Sequence, residues 1–219
     1  EGGLNLAAGV TTVRDMGNDN SQVQQIIDET ANGMLLGPQI IPAGFLEGES
    51  PYSSNGGFVV KDLAAAKNAI DWYAEHGYPQ LKIYNSFPKA ILKDTVAYAH
   101  SRGMRVGGHI PAGLRAYEAL DAGYDEIQHI NQVMLNFLAT PQTETRTLER
   151  FILPSEKVAG LDFNSPAVKN FVARLKAKQI VVDPTLATFA FMKQRDGDLN
   201  EPFVSIADHM PPDVKRGFH

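Results

Sequence analysis

Short apolar runs and amphipathic segments alternate along most of this chain. The apolar runs are rich in β-branched residues and predict buried strands, and the segments between them have the apolar spacing of helices. The predicted strands are Val10–Asp15, Gln39–Ala43, Gln80–Tyr84, Met104–His109, Glu126–His129 and Ile180–Thr185. Because strands and helices alternate, the pattern predicts an α/β fold with a parallel sheet.

The regular spacing of these units favours a barrel over a doubly wound sheet. Helix-ending glycines come shortly before most of the strands, and the first strand-to-helix turn has no G-x-G-x-x-G phosphate-binding pattern. A complete barrel has eight units and about 250 residues. The chain has 219 residues and supplies six predicted strands, so we expect an incomplete (β/α)8 TIM-type barrel that forms a single partial domain over residues 1–219.

One lysine and two histidines lie at or near the carboxyl ends of three predicted strands: Lys82, His109 and His129. Residues at the carboxyl ends of barrel strands converge on one mouth, whatever their separation in sequence. Neutral imidazole is the commonest metal ligand, and a buried lysine is costly unless it is paired or modified. The three residues therefore indicate either a metal site or a Schiff-base site.

Composition excludes several classes of function. The net charge of −5 and the pI of about 5.7 give no basic stripe for nucleic-acid binding. No apolar run is long enough to predict a membrane span. The chain has no cysteine, so disulfides and thiolate catalysis are excluded and a metal must have nitrogen and oxygen ligands. Both a cytoplasmic and a periplasmic location remain open.

A long segment without predicted structure, Phe45–Gly57, follows the second predicted strand. Long loops in compact domains are usually functional or disordered, so we expect this one to contact a small-molecule substrate through Glu47 and Tyr52. Three residues that follow Lys82 are further candidates for the lining of the pocket: Tyr84, Asn85 and Ser86. Of these, Tyr84 is the candidate substrate contact. Asp15 and Asp183 end two predicted strands, and we interpret them as supporting or turn residues.

Several stretches together resemble the amidohydrolase superfamily, in particular its imidazolonepropionase-like and Xaa-Pro dipeptidase-like branch. These stretches are Gly9–Gly17, Leu81–Tyr84, Gly107–Pro111 and Glu126–Asn131, and Val182–Leu186 resembles the seventh strand of the family barrel. They occur in the family's order and span most of residues 1–190.

The resemblance implies a barrel with one or two divalent metals, usually zinc. In such enzymes a metal-activated hydroxide attacks a C–N bond, here that of an amide, a cyclic amide or a dipeptide. Lys82 would correspond to the carboxylated lysine of strand four, and His109 and His129 to the metal ligands of strands five and six.

Two parts of the family pattern have no match in this chain. These are the His-x-His pair of strand one and the aspartate of strand eight. We therefore expect an internal piece of the barrel, about strands 2 to 7, that is inactive by itself, and hydrolysis of amides or dipeptides by this chain would refute that. Two alternatives remain open: a Schiff-base lyase or aldolase that uses Lys82, and a non-catalytic fragment that self-associates. Because open sheet edges tend to pair with other chains, we expect a homo-oligomer.

Overall fold

The computed structural model describes residues 2–191 and the isolated positions 204, 209 and 212. The chain divides into two compact units, Glu1–Asp183 and Pro184–His219. All strands of the described residues belong to the first unit, and the short helix Leu186–Phe191 belongs to the second. A single domain over residues 1–219 stays a prediction.

The described strands form one parallel sheet. They are β1 (Thr12–Asp15), β2 (Gln39–Gly48), β3 (Phe58–Val60), β4 (Gln80–Ile83), β5 (Arg105–Gly108), β6 (Glu126–Gln128) and β7 (Val181–Asp183). Their order in the sheet is β1-β2-β4-β5-β6-β7, and β3 pairs with the end of β2. Every pair is parallel.

Helices connect the strands. They are α1 (Gly2–Ala7), α2 (Asn20–Ala31), α3 (Leu63–Glu75), α4 (Leu92–Ser101), α5 (Ala116–Ala122), α6 (Ile130–Leu138), α7 (Glu149–Lys157), α8 (Pro166–Ala177) and α9 (Leu186–Phe191). Short 3-10 turns at Lys89–Ile91 and Val158–Gly160 adjoin α4 and α7. None of these helices is both long and apolar enough to span a membrane.

The sheet is curled, as a bond network across its concave side shows. Arg14 lies on β1, at one edge, and its guanidinium bonds both oxygens of Glu126 on β6 at 2.8 Å. It also reaches Asp183 on β7, at the other edge, at 3.1 Å. Strands that lie at opposite edges of the sheet can share one guanidinium only if the sheet bends round. The sheet is therefore an incomplete (β/α)8 TIM-type barrel, and the predicted fold class is confirmed.

Alternation along the strands separates an apolar outer face from a polar inner face. Leu81 and Ile83 on β4 are almost completely buried and belong to the same core cluster as Ile70 of α3 and Val96 of α4. Lys82, between them, points to the concave side. The helices therefore cover one face of the sheet and leave the other for polar side chains.

One predicted strand end was wrong, and one strand and one helix were missed. Strand β2 continues to Gly48, so the loop predicted from residue 45 is four residues shorter at its start. The three-residue strand β3 was missed because it is too short to show periodicity. Residues 131–165 show no regular apolar spacing beyond a possible helix at their start. The structure confirms that helix as α6 and adds α7, which the pattern did not predict.

Pro42 lies inside β2, a position that proline normally avoids in a central strand. It is tolerated because β2 changes neighbours there. Residues 39–42 pair with β1, whereas pairing with β4 begins only at Ala43. The missing amide hydrogen of Pro42 therefore falls where the strand needs fewer bonds.

Candidate metal centre

Lys82 occupies the middle of the site. It lies on β4, opposite Phe45 of β2 and Gly107 of β5, and is only 9% exposed. Burial lowers the pKa of its ammonium to about 8, although the charges of Asp15 and Asp183 act in the opposite direction. A substantial fraction of the amine is therefore neutral near pH 8, and a neutral amine can act as a nucleophile or accept a carboxyl group.

His109 follows β5 and is almost fully buried. Its Nδ1 lies 2.7 Å from Oδ1 of Asn85, a buried side chain just beyond β4. Since a carbonyl oxygen only accepts, Nδ1 carries the hydrogen, and Nε2 is left with a lone pair. Nε2 is buried and has no hydrogen-bond partner within the described part of the chain.

The imidazole of His109 is held neutral. Burial lowers the pKa of His109 well below its ordinary value, and the nearby positive charge of Lys82 lowers it further. An unpartnered basic nitrogen inside a protein is costly unless something occupies it. The orphaned Nε2 of a neutral imidazole thus fits a metal ion.

His129 lies between β6 and α6. Its φ of 70° is in the left-handed region, which is uncommon for any residue with a side chain and often marks functional sites. Its amide donates to the carbonyl oxygen of Asp183 at 2.7 Å. The rings of His129 and His109 meet edge to face, with centroids 4.7 Å apart. Burial, followed by the charge of Lys82, lowers the pKa of His129 to about 4. Both imidazoles are therefore neutral at pH 7.

Two consecutive glycines let β5 approach its neighbours closely. A Cβ on Gly107 would lie 2.7 Å from the carbonyl oxygen of Glu126, and one on Gly108 would lie 3.0 Å from Cγ of Lys82. The space that the glycines leave is therefore filled by the adjoining strands and by the stem of Lys82.

Other groups position these side chains, and their bonds to His109 could not be read from the sequence. The hydroxyl of Tyr124 donates to the carbonyl oxygen of His109 at 3.0 Å, and Asn85 orients the imidazole ring. Neither residue belongs to a motif, and each is joined to His109 only by the fold. Only a structure could show these two contacts.

The three predicted substrate contacts lie in different surroundings. The ring centroid of Tyr84 is 4.1 Å from that of His109, so Tyr84 belongs to the site. Glu47 is completely buried, and its carboxylate accepts the amide hydrogens of neighbouring backbone. Tyr52 is 47% exposed, with the guanidinium of Arg146 at 5.0 Å from its ring centroid. Substrate contact by these residues stays a prediction, and the surroundings of Glu47 favour a structural role.

The negative charges of the two candidate aspartates, Asp15 and Asp183, act to raise the pKa of Lys82. The carboxylate of Asp15 accepts from the amide of Gly17 and the side chain of Asn18, as expected of a turn residue. In the described residues no three His, Asp or Glu side chains cluster closely enough to hold a metal ion. Any metal bound by these residues would therefore need Lys82 in addition to the two imidazoles.

Comparisons with known proteins bear on the fold. No family model and no curated protein matches the chain. A solved structure of an uncharacterized protein is similar with a TM-score of 0.56 and 18% identity, over 98% of this chain and 49% of that chain. Bottromycin amidohydrolase is similar with a TM-score of 0.56 and 19% identity, over 71% of this chain and 34% of that chain. The A. niger ochratoxinase is similar with a TM-score of 0.52 and 14% identity, over 82% of this chain and 53% of that chain.

The chain therefore spans about half the length, or less, of these structures. At such identities the likeness shows the fold alone. It confirms the partial barrel, and the resemblance to amidohydrolases seen in the sequence is matched by a likeness of fold to bottromycin amidohydrolase.

Proposed function

We propose that this chain is part of a metal-dependent hydrolase of the amidohydrolase type, in which Lys82, His109 and His129 are metal ligands. The observation that carries the proposal is their convergence at the carboxyl ends of β4, β5 and β6, with Nε2 of His109 buried and unpartnered in the described part of the chain. The fold of the three similar structures supports it. The metal would be zinc or a similar divalent ion, one or two per site.

The chain's own residues prepare the site for such an ion. Asn85 fixes the His109 ring, and both imidazoles are neutral at pH 7, as ligation requires. The neutral amine of Lys82 can add CO2 and release a proton, which gives a carbamate with two oxygen donors. A bound metal would polarise the scissile carbonyl and lower the pKa of water to about 7.

The substrate class is the one that the resemblance to amidohydrolases implies. A site of this kind hydrolyses a C–N bond in an amide, a cyclic amide or a dipeptide. Tyr84 packs against His109 and is the best-supported substrate contact of the three predicted, with Glu47 and Tyr52 less well supported.

We expect close to one equivalent of zinc or a similar metal per chain when the protein is purified without chelator and analysed for its elements. His109→Ala should lose most of this metal. Loss of a residue that only supports a ligand lowers metal affinity roughly 10- to 100-fold, and loss of the ligand itself should lower it more. His76→Ala is the matched control, since His76 stacks on Trp72 on the surface of α3. Equal metal in the wild type and in His109→Ala would contradict the proposal.

The lowered pKa of Lys82, about 8, also suits a Schiff-base lyase or aldolase. Borohydride reduction with a carbonyl substrate separates the two functions. A covalent adduct that disappears in Lys82→Met, together with absence of metal, would replace the hydrolase by the lyase.

Self-association is a separate proposal, since it depends neither on a bound metal nor on a reactive lysine. Within the described residues, β1 and β7 each pair with one strand only, and Met34 and Leu36 on the segment before β2 are over 70% exposed. Open edges and exposed apolar residues favour pairing with another copy. We expect light scattering to give a mass above the 23.9 kDa of one chain, and a well-behaved monomer would contradict this.

A further inference from the structure

The sequence contains two Asn-Gly pairs: Asn32–Gly33, directly after α2, and Asn55–Gly56, in the loop between β2 and β3. Asparagine before glycine is chemically labile, because glycine has no Cβ to shield its amide nitrogen from the side-chain carbonyl carbon of the asparagine. Both asparagines are exposed. Exposure therefore does not distinguish the two pairs, whereas their backbone hydrogen bonds do.

The pair Asn32–Gly33 is held by the end of α2. The amide of Gly33 donates to the carbonyl oxygen of Thr30 at 3.2 Å, and the amide of Asn32 donates to that of Asp28 at 3.0 Å. The nitrogen of Gly33 is thus occupied as a donor. It can react with the side chain of Asn32 only after the last turn of the helix has opened.

The pair Asn55–Gly56 has no such restraint. Within the described residues, neither the side chain of Asn55 nor the amide of Gly56 has a hydrogen-bond partner. The backbone of Gly56 is partly exposed and is not crowded, since the nearest atom to a Cβ placed there is one of the Phe45 ring, at 3.6 Å. Solvent can therefore reach the amide hydrogen of Gly56, and its nitrogen is free to react.

We propose that Asn55 is a site of spontaneous deamidation in the folded chain and that Asn32 is protected from it. Hydroxide removes the proton from the amide nitrogen of Gly56, and this nitrogen attacks Cγ of Asn55. The bond between Cγ and Nδ2 breaks, Nδ2 takes a proton from water and leaves as ammonia, and a succinimide ring remains. Water then adds to one of the two ring carbonyls and opens the ring to aspartate or isoaspartate. One water is consumed, one ammonia is released and the hydroxide is regenerated.

Both products change the loop between β2 and β3. Each adds one negative charge to a chain whose formal net charge is −5, and isoaspartate also lengthens the main chain by one carbon. Gly57 cannot absorb that carbon, because its amide donates to the carbonyl oxygen of Asn18 at 3.1 Å and a Cβ on it would lie 2.6 Å from the hydroxyl of Tyr73. The loop residues before Asn55 must therefore shift. The inference depends on neither a bound metal nor the proposed hydrolase.

The test is to incubate the folded chain at neutral and at mildly alkaline pH and to follow each pair by mass spectrometry. Cleavage after glutamate, at mildly acidic pH, places the two pairs in separate peptides, residues 30–47 and 50–75. The gain in mass when –NH2 becomes –OH is measured for each, and electron-transfer fragmentation identifies isoaspartate. We expect Asn55 to react at least about fivefold faster than Asn32, because a backbone bond must break before Gly33 can react. The rate at Asn55 should rise with pH.

Incubation in urea is the control for the fold, since the two pairs should then react at similar rates. Gly56→Ala should slow the reaction at Asn55 at least about fivefold, because its Cβ shields the amide nitrogen. This variant should fold normally, since φ at Gly56 lies outside the left-handed region and the added Cβ has room. Equal rates at Asn32 and Asn55 in the folded chain, the same ratio of rates in urea, or an unchanged rate in Gly56→Ala would each overturn the inference.

Discussion

The Gly108→Ala chain is expected to lose more than about 4 kcal/mol of its free energy of unfolding, or not to fold at all. Gly108 pairs with Ile83 of β4. A Cβ on Gly108 would overlap the carbonyl oxygen of Ile83 and would lie 2.9 Å from its amide nitrogen. Both atoms belong to the backbone of a central strand, so they cannot move aside as a flexible side chain would. Its φ of +121° adds strain for any residue with a side chain.

Gly103→Ala separates the two causes of this loss. Gly103 also has a positive φ, +76°, but a Cβ there would meet nothing within 4 Å. Only the conformational term acts, and we expect a loss of about 1 kcal/mol. Urea unfolding of the two variants beside the wild type provides the comparison. Equal losses at the two glycines would mean that the close approach of β5 to β4 is unimportant.

The positions of the three candidate ligands could be predicted because they depend on local pattern. Apolar runs locate strands, and the ends of parallel strands meet at one edge whatever lies between them. Lys82, His109 and His129 follow from that rule alone.

The supporting contacts could not be predicted, because they join residues far apart in sequence. Arg14 and Glu126 are 112 positions apart, and their bond exists only because the sheet curls. Asn85 and His109 are nearer in sequence, 24 positions, but the amide of Asn85 reaches the imidazole only because β4 and β5 pair in one particular register. Neither the register of the strands nor the curvature of the sheet can be predicted from a hydrophobic pattern.

Glu47 shows how a local rule can mislead. A glutamate that begins the stretch Glu-Gly-Glu-Ser-Pro-Tyr is typical of an exposed loop. In the structure it is the last residue but one of β2, and its oxygen Oε1 accepts the amide hydrogens of Gly48 at 3.0 Å and Ser86 at 2.7 Å. The donor at Ser86 comes 39 positions later, so the sequence gives no sign that this carboxylate is needed inside.

Loss of that carboxylate should be strongly destabilising. Glu47→Ala removes the acceptor for the amides of Gly48 and Ser86 and for the longer bond from Ser54, in a place that water does not reach. Each buried amide left unpaired costs about 1–3 kcal/mol, so we expect a loss of about 3 kcal/mol. Glu47→Gln keeps an oxygen for the two shorter bonds and should cost much less. Urea unfolding near pH 7 measures both.

The pH dependence of the free energy of unfolding, compared between the wild type and Glu47→Gln, gives a sharper test. Burial raises the pKa of Glu47 above its usual value, although its backbone bonds and the charge of Arg146 act against the rise. The folded state therefore holds this proton at a pH where the unfolded state has already released it. The contribution of that proton to stability is complete below the ordinary glutamate pKa of about 4.3, and is lost as pH rises through the folded value.

Glu47→Gln has no proton to lose at this position, so the stability of the wild type relative to Glu47→Gln should fall as pH rises from about 4.3 through the raised pKa. Glu49→Gln, an exposed change in the following loop, should run parallel to the wild type within about 0.5 kcal/mol at every pH. If the stability of the wild type relative to Glu47→Gln instead rose with pH, the backbone bonds would outweigh burial. The carboxylate would then be ionised and stabilising in the folded chain.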